Sequence, residues 1–364
     1  MRSTLIVLHR WIALTVSLLL IGTAASGAII VFEGAIDRAT HPALWHVTPA
    51  GATLPIDSVV ARVEAKFPDS RIVAVNPTSV PDRAWTMNAG PMTVFVNAYT
   101  GEINGTRTQT EAQSTLSRRM HVFHVEFLAG KVGREIVGVL TAIALFLVVS
   151  GVILWWPDKL IRVTTTASWK RINFDLHHAL GIVASLVLIV IMSSGLVIHY
   201  DVLTNLVKSL DQTPPPPPPA QPPPPTQPPP PTQPAGAPDA PRLSFDAVAA
   251  TARAALPGAD IMVISLGNAK NAGFAGMRFP EDHTPGGRSR VYIDHFTGAL
   301  LSTSNTREAP LGTRIDNLKR SLHTGDVMGK PTEAVWLLAT LVLLSQIVTG
   351  VLMWLNARKG RTRA

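Results

Sequence analysis

The sequence predicts an α-helical integral membrane protein with four transmembrane helices in two parallel repeats, plus two small α+β modules outside the bilayer. Three observations carry that prediction. Four apolar stretches, near residues 11–33, 135–156, 179–201 and 334–355, each approach the roughly 20 apolar residues that cross a bilayer core. Matched motifs recur at fixed spacing along the chain, which places internal duplication ahead of every other signal. The two long segments between the stretches each show a helix pattern followed by alternating strands.

The chain divides at 1–35 (helix 1), 36–132 (first module and an interfacial segment), 133–157 (helix 2) and 158–176 (a short loop). It continues with 177–203 (helix 3), 204–242 (a proline-rich linker), 243–332 (second module), 333–356 (helix 4) and 357–364 (a basic tail). The first stretch also has the look of a signal peptide, since Arg2 and Arg10 precede it and Ala24, Ala25, Ser26 and Gly27 lie near its end. Its repeat partner at 179–201 sits in mid-chain, so helix 1 is read as retained.

The duplication is explicit. Leu8-His9-Arg10-Trp11 opens a run that ends at Ser26-Gly27, and Leu176-His177-His178 opens one that ends at Ser194-Gly195. Here 177 − 9 and 195 − 27 both give 168. His124, Gly130-Lys131, Ser150-Gly151 and Trp155 match His323, Gly329-Lys330, Thr349-Gly350 and Trp354, where 323 − 124 gives 199. The matched glycines follow Ser or Thr and read as close-packing positions between helices or against a flat cofactor.

Charge sets the orientation. Lys159, Arg162, Lys170 and Arg171 in the short loop and Arg358, Lys359, Arg361 and Arg363 in the tail put this loop and both termini in the cytoplasm by the positive-inside rule. The formal net charge of +8 is accounted for beside the helix ends and requires no nucleic acid. The absence of cysteine excludes disulfides, iron–sulfur clusters, Cys-ligated zinc and c-type haem attachment within this chain.

In the exported segments, Leu54-Pro55-Ile56-Asp57 and Leu243-Ser244-Phe245-Asp246 each read as the capped start of an amphipathic helix. Strand patterns follow, ending at Tyr99-Thr100-Gly101 and Phe296-Thr297-Gly298 turns. From Thr213 to Pro241 runs a polyproline spacer.

Of the eleven histidines, only His9 with His177 and His124 with His323 occupy matched places. One reading makes them interfacial anchors of helix ends. The other makes them axial ligands, because two imidazole pairs at opposite membrane faces are what two bis-histidine b-type haems require. His178, His199 and His121 lack repeat partners and are secondary candidates, His199 and His121 for the outer haem. His41, His46, His283 and His295 have no repeat partner either, and the first three read as loop residues. Glu33, Asp37, Glu126, Asp201 and Asp326 gather near the outer ends without forming an assignable ligand set. No catalytic side chain is assigned.

These motifs together resemble the family of membrane proteins with PepSY domains and PepSY-associated transmembrane helices, often called iron-regulated membrane proteins. Leu8-His9-Arg10-Trp11, the stretch from His124 through Gly133-Arg134 to Trp155-Trp156-Pro157, Asp175-Leu176-His177 and Leu322-His323-Thr324-Gly325-Asp326 resemble its helix-associated motifs. The Tyr99-Thr100-Gly101 and Phe296-Thr297-Gly298 turns resemble the PepSY signature.

The resemblance implies a di-haem reductase of the bacterial inner membrane that reduces ferric siderophore in the periplasm for iron acquisition. In it, His9 and His177 ligate an inner haem b, and His124 and His323 an outer one. Arg commonly follows the motif histidine where this chain has His178, which leaves the inner ligand open between His177 and His178; the length of the proline tract is a second departure. No Gly-x-Gly-x-x-Gly turn follows a strand, so the electron donor is expected to be a separate cytoplasmic reductase or a quinol. The competing reading is a membrane-anchored PepSY binding or regulatory protein without redox activity. A transporter is disfavoured, because the helices lack midspan charges and Pro-broken segments.

Overall fold

The computed structural model describes residues 2–156, 161–211, 243–267, 272–294 and 297–361. The proline tract from Thr213 to Pro241, Pro157, Lys159, His295, Phe296 and Arg363 lie outside them.

The chain order begins with α1 (Arg2–Ile30), α2 (Glu33–Thr40), α3 (Pro42–Trp45) and α4 (Ile56–Lys66). Strands β1 (Ile72–Asn76), β2 (Trp85–Ala89), β3 (Met92–Val96) and β4 (Ile103–Thr108) follow. Then come α5 (Gln109–Ser114), α6 (Leu116–Glu126), α7 (Gly130–Trp155), α8 (Trp169–His199), α9 (Asp201–Lys208) and α10 (Phe245–Ala255). Strands β5 (Asp260–Ser265), β6 (Gly273–Arg278), β7 (Ser289–Ile293) and β8 (Leu300–Ser304) precede α11 (Leu311–Thr324) and α12 (Lys330–Arg361). These elements form two compact units, one of residues 1–33, 116–210 and 315–364 and the other of residues 34–115 and 211–314.

The first unit is a helix bundle. Helices over Arg2–Ile30, Gly130–Trp155, Trp169–His199 and Lys330–Arg358 are long and apolar enough to cross a membrane. Each of α1 and α8 packs on both α7 and α12. Leu20, Leu140, Ala144, Leu147, Leu188 and Met192 fill the interior, while Leu18, Val183 and Leu186 point outward and stay exposed, as lipid-facing side chains do. Helix α8 starts about ten residues before its apolar stretch, at Trp169. That polar first part is helical because Asp175, buried at 3 %, is neutralised by Arg171 at 2.8 Å one turn away and accepts the Thr164 amide at 3.1 Å.

His124 and His323 do not lie on the spanning helices themselves but on the separate α6 and α11. Phe127, Leu128 and Gly130 with positive φ break α6 from α7. A Cβ on Gly133 would meet the Glu126 carbonyl at 1.8 Å, so the crossing of α6 over α7 demands glycine there. Gly325, at φ +82°, turns α11 toward α12, and Trp336 Nε1 donates to the Leu322 carbonyl at 2.7 Å to hold that turn.

The second unit is one eight-stranded sheet in the order β4-β3-β2-β1-β5-β6-β7-β8. Two separate modules were the expectation; here the two sets of four strands join through antiparallel β1 and β5, with Ala74 opposite Ser265 and Val75 opposite Ile264. Both strands would otherwise leave unpaired backbone at a sheet edge, and pairing them removes the two edges at once. Val59, Val63, Phe245 and Val248 of α4 and α10 pack on Ile72, Met87, Val94, Ile264, Met277 and Val291 to form one apolar core.

The start of α10 is capped as expected, Ser244 Oγ accepting the Ala247 amide at 3.1 Å, and the two aspartates add a second layer of capping. Asp57 and Asp246 do not cap their own helices; each caps the other's. Asp57 accepts the Phe245 and Asp246 amides at 2.9 and 3.1 Å, and Asp246 accepts the Ile56 and Asp57 amides at 2.9 and 3.0 Å. The two helix N-termini meet, so each carboxylate reaches orphan N–H groups across the join. Burial raises the Asp57 carboxyl, and hydrogen bonds from the Ser244 hydroxyl and the Asp246 and Phe245 amides outweigh it, holding its pKa below the ordinary 3.8. Each Thr-Gly turn is closed by a side-chain acceptor that takes an amide two residues on in the first turn and three residues on in the second. Asn97 and Asp294 side chains accept the Tyr99 and Thr297 amides at 2.9 and 2.8 Å, with Gly101 and Gly298 at φ +72° and +73°.

Candidate functional site

The four repeat-matched histidines sit in the bundle in two equivalent settings. At the end that carries the termini, His9 on α1 bonds through Nδ1 to Ser150 Oγ of α7 at 2.8 Å. His177 on α8 bonds through Nδ1 to Thr349 Oγ1 of α12, also at 2.8 Å. At the opposite end, His124 Nδ1 bonds to the Thr23 carbonyl of α1 at 2.9 Å, and His323 Nδ1 to the Ile191 carbonyl of α8 at 2.8 Å. The partners keep the offsets of the histidines, since 349 − 150 gives 199 and 191 − 23 gives 168.

These contacts decide the tautomers. A carbonyl only accepts, so Nδ1 of His124 and His323 carries the proton and Nε2 the lone pair. Ser150 donates its hydroxyl proton to the Leu147 carbonyl at 3.0 Å, and Thr349 donates to the Ser345 carbonyl at 2.8 Å. With their protons on those carbonyls, both hydroxyls can receive Nδ1–H from His9 and His177, the tautomer that again leaves Nε2 with its lone pair. A second partner that fixes the ring and its protonation is the usual support of a metal-ligating histidine. Helices α6 and α11 lie outside the four spans; there burial, aided by the neighbouring His323, lowers His124 to about 4, and burial likewise lowers His323.

The matched glycines have a specific task. A Cβ on Gly27 would meet His124 Cε1 at 3.0 Å, and one on Gly195 would meet His323 Cε1 at the same distance. On Gly151 and Gly350 it would touch Cε1 of His9 and His177 at 3.7 and 3.5 Å. Gly27 and Gly195 are thus close seats of imidazole rings, whereas a Cβ at Gly151 or Gly350 would make ordinary van der Waals contact with its ring.

The rings of His124 and His323 lie 6.1 Å apart, centre to centre, with a 49° tilt. Two imidazoles on opposite sides of one metal, each at a metal–nitrogen distance of ~2 Å, have ring centres about 6 Å apart. The spacing and the two free Nε2 lone pairs fit a bis-histidine iron. His9 and His177 offer the same donor set and interact electrostatically with one another and with His178.

The secondary candidates differ. His178 stacks on Phe174 of its own helix, ring centres 4.2 Å apart, and His177 Nδ1 has the Thr349 hydroxyl. His121 faces Glu33, Nδ1 to Oε2 3.4 Å. His199 packs edge-on to Tyr200, and its Nε2, shielded from solvent, has no hydrogen-bond partner. His41 pairs with Asp37 at 3.0 Å. Asp37 is otherwise taken by Arg107 at 3.0 Å through both oxygens. Among the described residues no group of three or more His, Asp or Glu side chains is placed to hold a metal ion.

Ser150 and Thr349 had a signal in the sequence as the residue before each matched glycine, although their role as imidazole acceptors had none. The Thr23 and Ile191 carbonyls are backbone groups and have no sequence signature. A family model described as the PepSY-associated TM region matches residues 6–357. The search of curated proteins found no match to the chain.

Proposed function

The chain belongs to the PepSY-associated TM region family and is a multi-pass membrane protein, and from that premise we propose that it is a di-haem oxidoreductase of the bacterial inner membrane. Its two halves are read as parallel repeats, its sheet unit as a pair of joined PepSY-like modules on the periplasmic side, and its termini as cytoplasmic. It takes electrons from a cytoplasmic reductase or a quinol and delivers one to each ferric ion of a siderophore in the periplasm. The ferrous ion is held less tightly by hard oxygen donors and is released for uptake.

The observation that carries this reading is the adjacent pair His124 and His323, with ring centres 6.1 Å apart and each Nδ1 tied to a transmembrane helix. Haem b would supply reversible one-electron chemistry at iron in both sites. His124 and His323 would hold it at one end, and His9 and His177 at the other, through Nε2. Thr23, Ile191, Ser150 and Thr349 fix the four rings by accepting Nδ1–H, so ligation needs no tautomer change. Gly27 and Gly195 let the His124 and His323 rings seat against the helices. Leu20, Leu140, Leu147 and Leu188 between the two ends exclude water and keep the dielectric low.

The test is direct. Purified protein is reduced with dithionite under anaerobic conditions, freed of excess reductant and mixed with a ferric siderophore and a ferrous-specific dye. Oxidation of a b-type absorption spectrum in step with dye colour is the expected result. A reduced spectrum that persists, with no ferrous iron formed, would contradict the reductase reading. Protein with no haem after expression with ample haem would favour the membrane-anchored PepSY binding or regulatory protein instead.

A further inference from the structure

Gln346 stands out within the membrane-spanning part of the bundle. It lies near the middle of the α12 span Lys330–Arg358, where most polar side chains are hydroxyls that return their proton to their own helix. Ser345 donates to Val342, Thr340 to Trp336, and Thr349 to Ser345. The Gln346 amide has no such outlet; its Nε2 is shielded from solvent and has no hydrogen-bond partner. An amide N–H2 left unpaired in an apolar interior is costly and calls for a partner.

The location of the amide narrows the choice. Gln346 is three residues before Thr349, which holds His177 Nδ1, and one turn before Gly350, which lies beside the same ring. Across the interface it faces Gly181 of α8, one turn beyond His177. A Cβ on Gly181 would meet Gln346 Oε1 at 3.1 Å, so the glycine makes room for the amide. The arrangement is one-sided. With 346 − 199 giving 147 and 181 − 168 giving 13, the corresponding residues of the first half are Leu147 and Ala13, both apolar.

We infer that the Gln346 amide donates a hydrogen bond toward the haem held by His9 and His177, and that it sets the potential of that haem apart from the other. The inference rests on the di-haem reading. An N–H dipole with its positive end toward the haem favours the reduced, more electron-rich state, so its loss lowers the potential.

Gln346→Leu restores the residue type of the first half and removes a buried unpaired group, a change that does not threaten folding. Gly181→Ala is the second variant, since it presses on Oε1 and displaces the amide without removing it. Spectroelectrochemical titration of full-length protein in detergent resolves two haem components, and the one lost in His177→Ala identifies the haem concerned. The expected result is a shift of that component to lower potential in Gln346→Leu, a smaller shift of the same component in Gly181→Ala, and an unmoved second component. Two haems with unchanged potentials in both variants would overturn the role of Gln346 and leave the reductase reading intact. A featureless spectrum from wild-type protein would overturn both.

Discussion

His124 and His323 belong to different short helices and lie 199 residues apart in sequence (323 − 124), yet their ring centres are 6.1 Å apart at a 49° tilt. Each is held by a carbonyl of a different spanning helix, α1 or α8. The pair therefore reports on the whole bundle: α6 and α11 place the rings, and the spanning helices aim them.

If the glycine seats aim the rings, bulk at one seat acts on one end alone. Gly195→Val places a branched side chain where a Cβ already lies 3.0 Å from His323 Cε1. The predicted outcome is loss of about one haem of the two per chain, with the thermal transition of the sheet unit unmoved. Pyridine haemochrome quantification against protein mass measures this, and full retention of haem would contradict the seat.

Replacing the acceptor rather than the ring is a milder perturbation. In Thr349→Val the side-chain shape is kept and the His177 Nδ1–H loses its partner at 2.8 Å. Outer-shell partners of this kind are worth roughly 10–100-fold in affinity, so haem at this end should be transferred to apomyoglobin faster than in wild type. Ser150→Ala should do the same through His9, and equal transfer rates in all three proteins would count against an orienting role.

The crossed caps of the sheet unit predict non-additive stability. Asp57→Ala and Asp246→Ala should each cost about 1 kcal/mol or somewhat more, as lost N-caps do. The double variant should cost less than the sum, because the two carboxylates serve one join. Thermal unfolding of the full-length protein in detergent supplies the four values of the cycle, and strict additivity would show that the two caps act independently.

The same join predicts an acid transition. The Asp57 carboxyl has a folded pKa below 3.8, so its contribution is fully present above the ordinary aspartate value. It is lost as pH falls below 3.8 through the lower folded value. Asp57→Asn should flatten the stability profile below about pH 4 and leave the shape of the profile near pH 7 unchanged. An acid transition of the same size in the variant would assign it to other carboxylates.

Much of this was written in the sequence, and for physical reasons. A spanning helix in lipid needs a long apolar run, so the four helices announce themselves. The fixed offsets of 168 and 199 (177 − 9 and 323 − 124) separate four histidines from the other seven, because a repeated fold repeats its contacts. What stayed hidden depends on partners distant in the chain or on backbone atoms. The pairing of β1 with β5, the crossing of Asp57 and Asp246, and the Thr23 and Ile191 carbonyls have no local pattern to betray them. The break between α6 and α7 falls at Phe127 and Leu128, bulky residues that do not signal positive φ. Gln346 looks in sequence like one polar interruption of an apolar run, and only its unpaired amide against Gly181 gives it meaning.

The central claim is that four histidines hold haem in two specified pairs. It is tested most directly by the haem-to-protein ratio and reduced-minus-oxidised spectrum of purified wild type and two double variants. Wild type should carry about two b-type haems per chain. His124→Ala combined with His323→Ala should keep about one, since both ligands serve one haem, and His177→Ala combined with His323→Ala should keep none. A featureless wild-type spectrum, or the loss of both haems in the His124/His323 double variant while the protein still folds, would contradict the account.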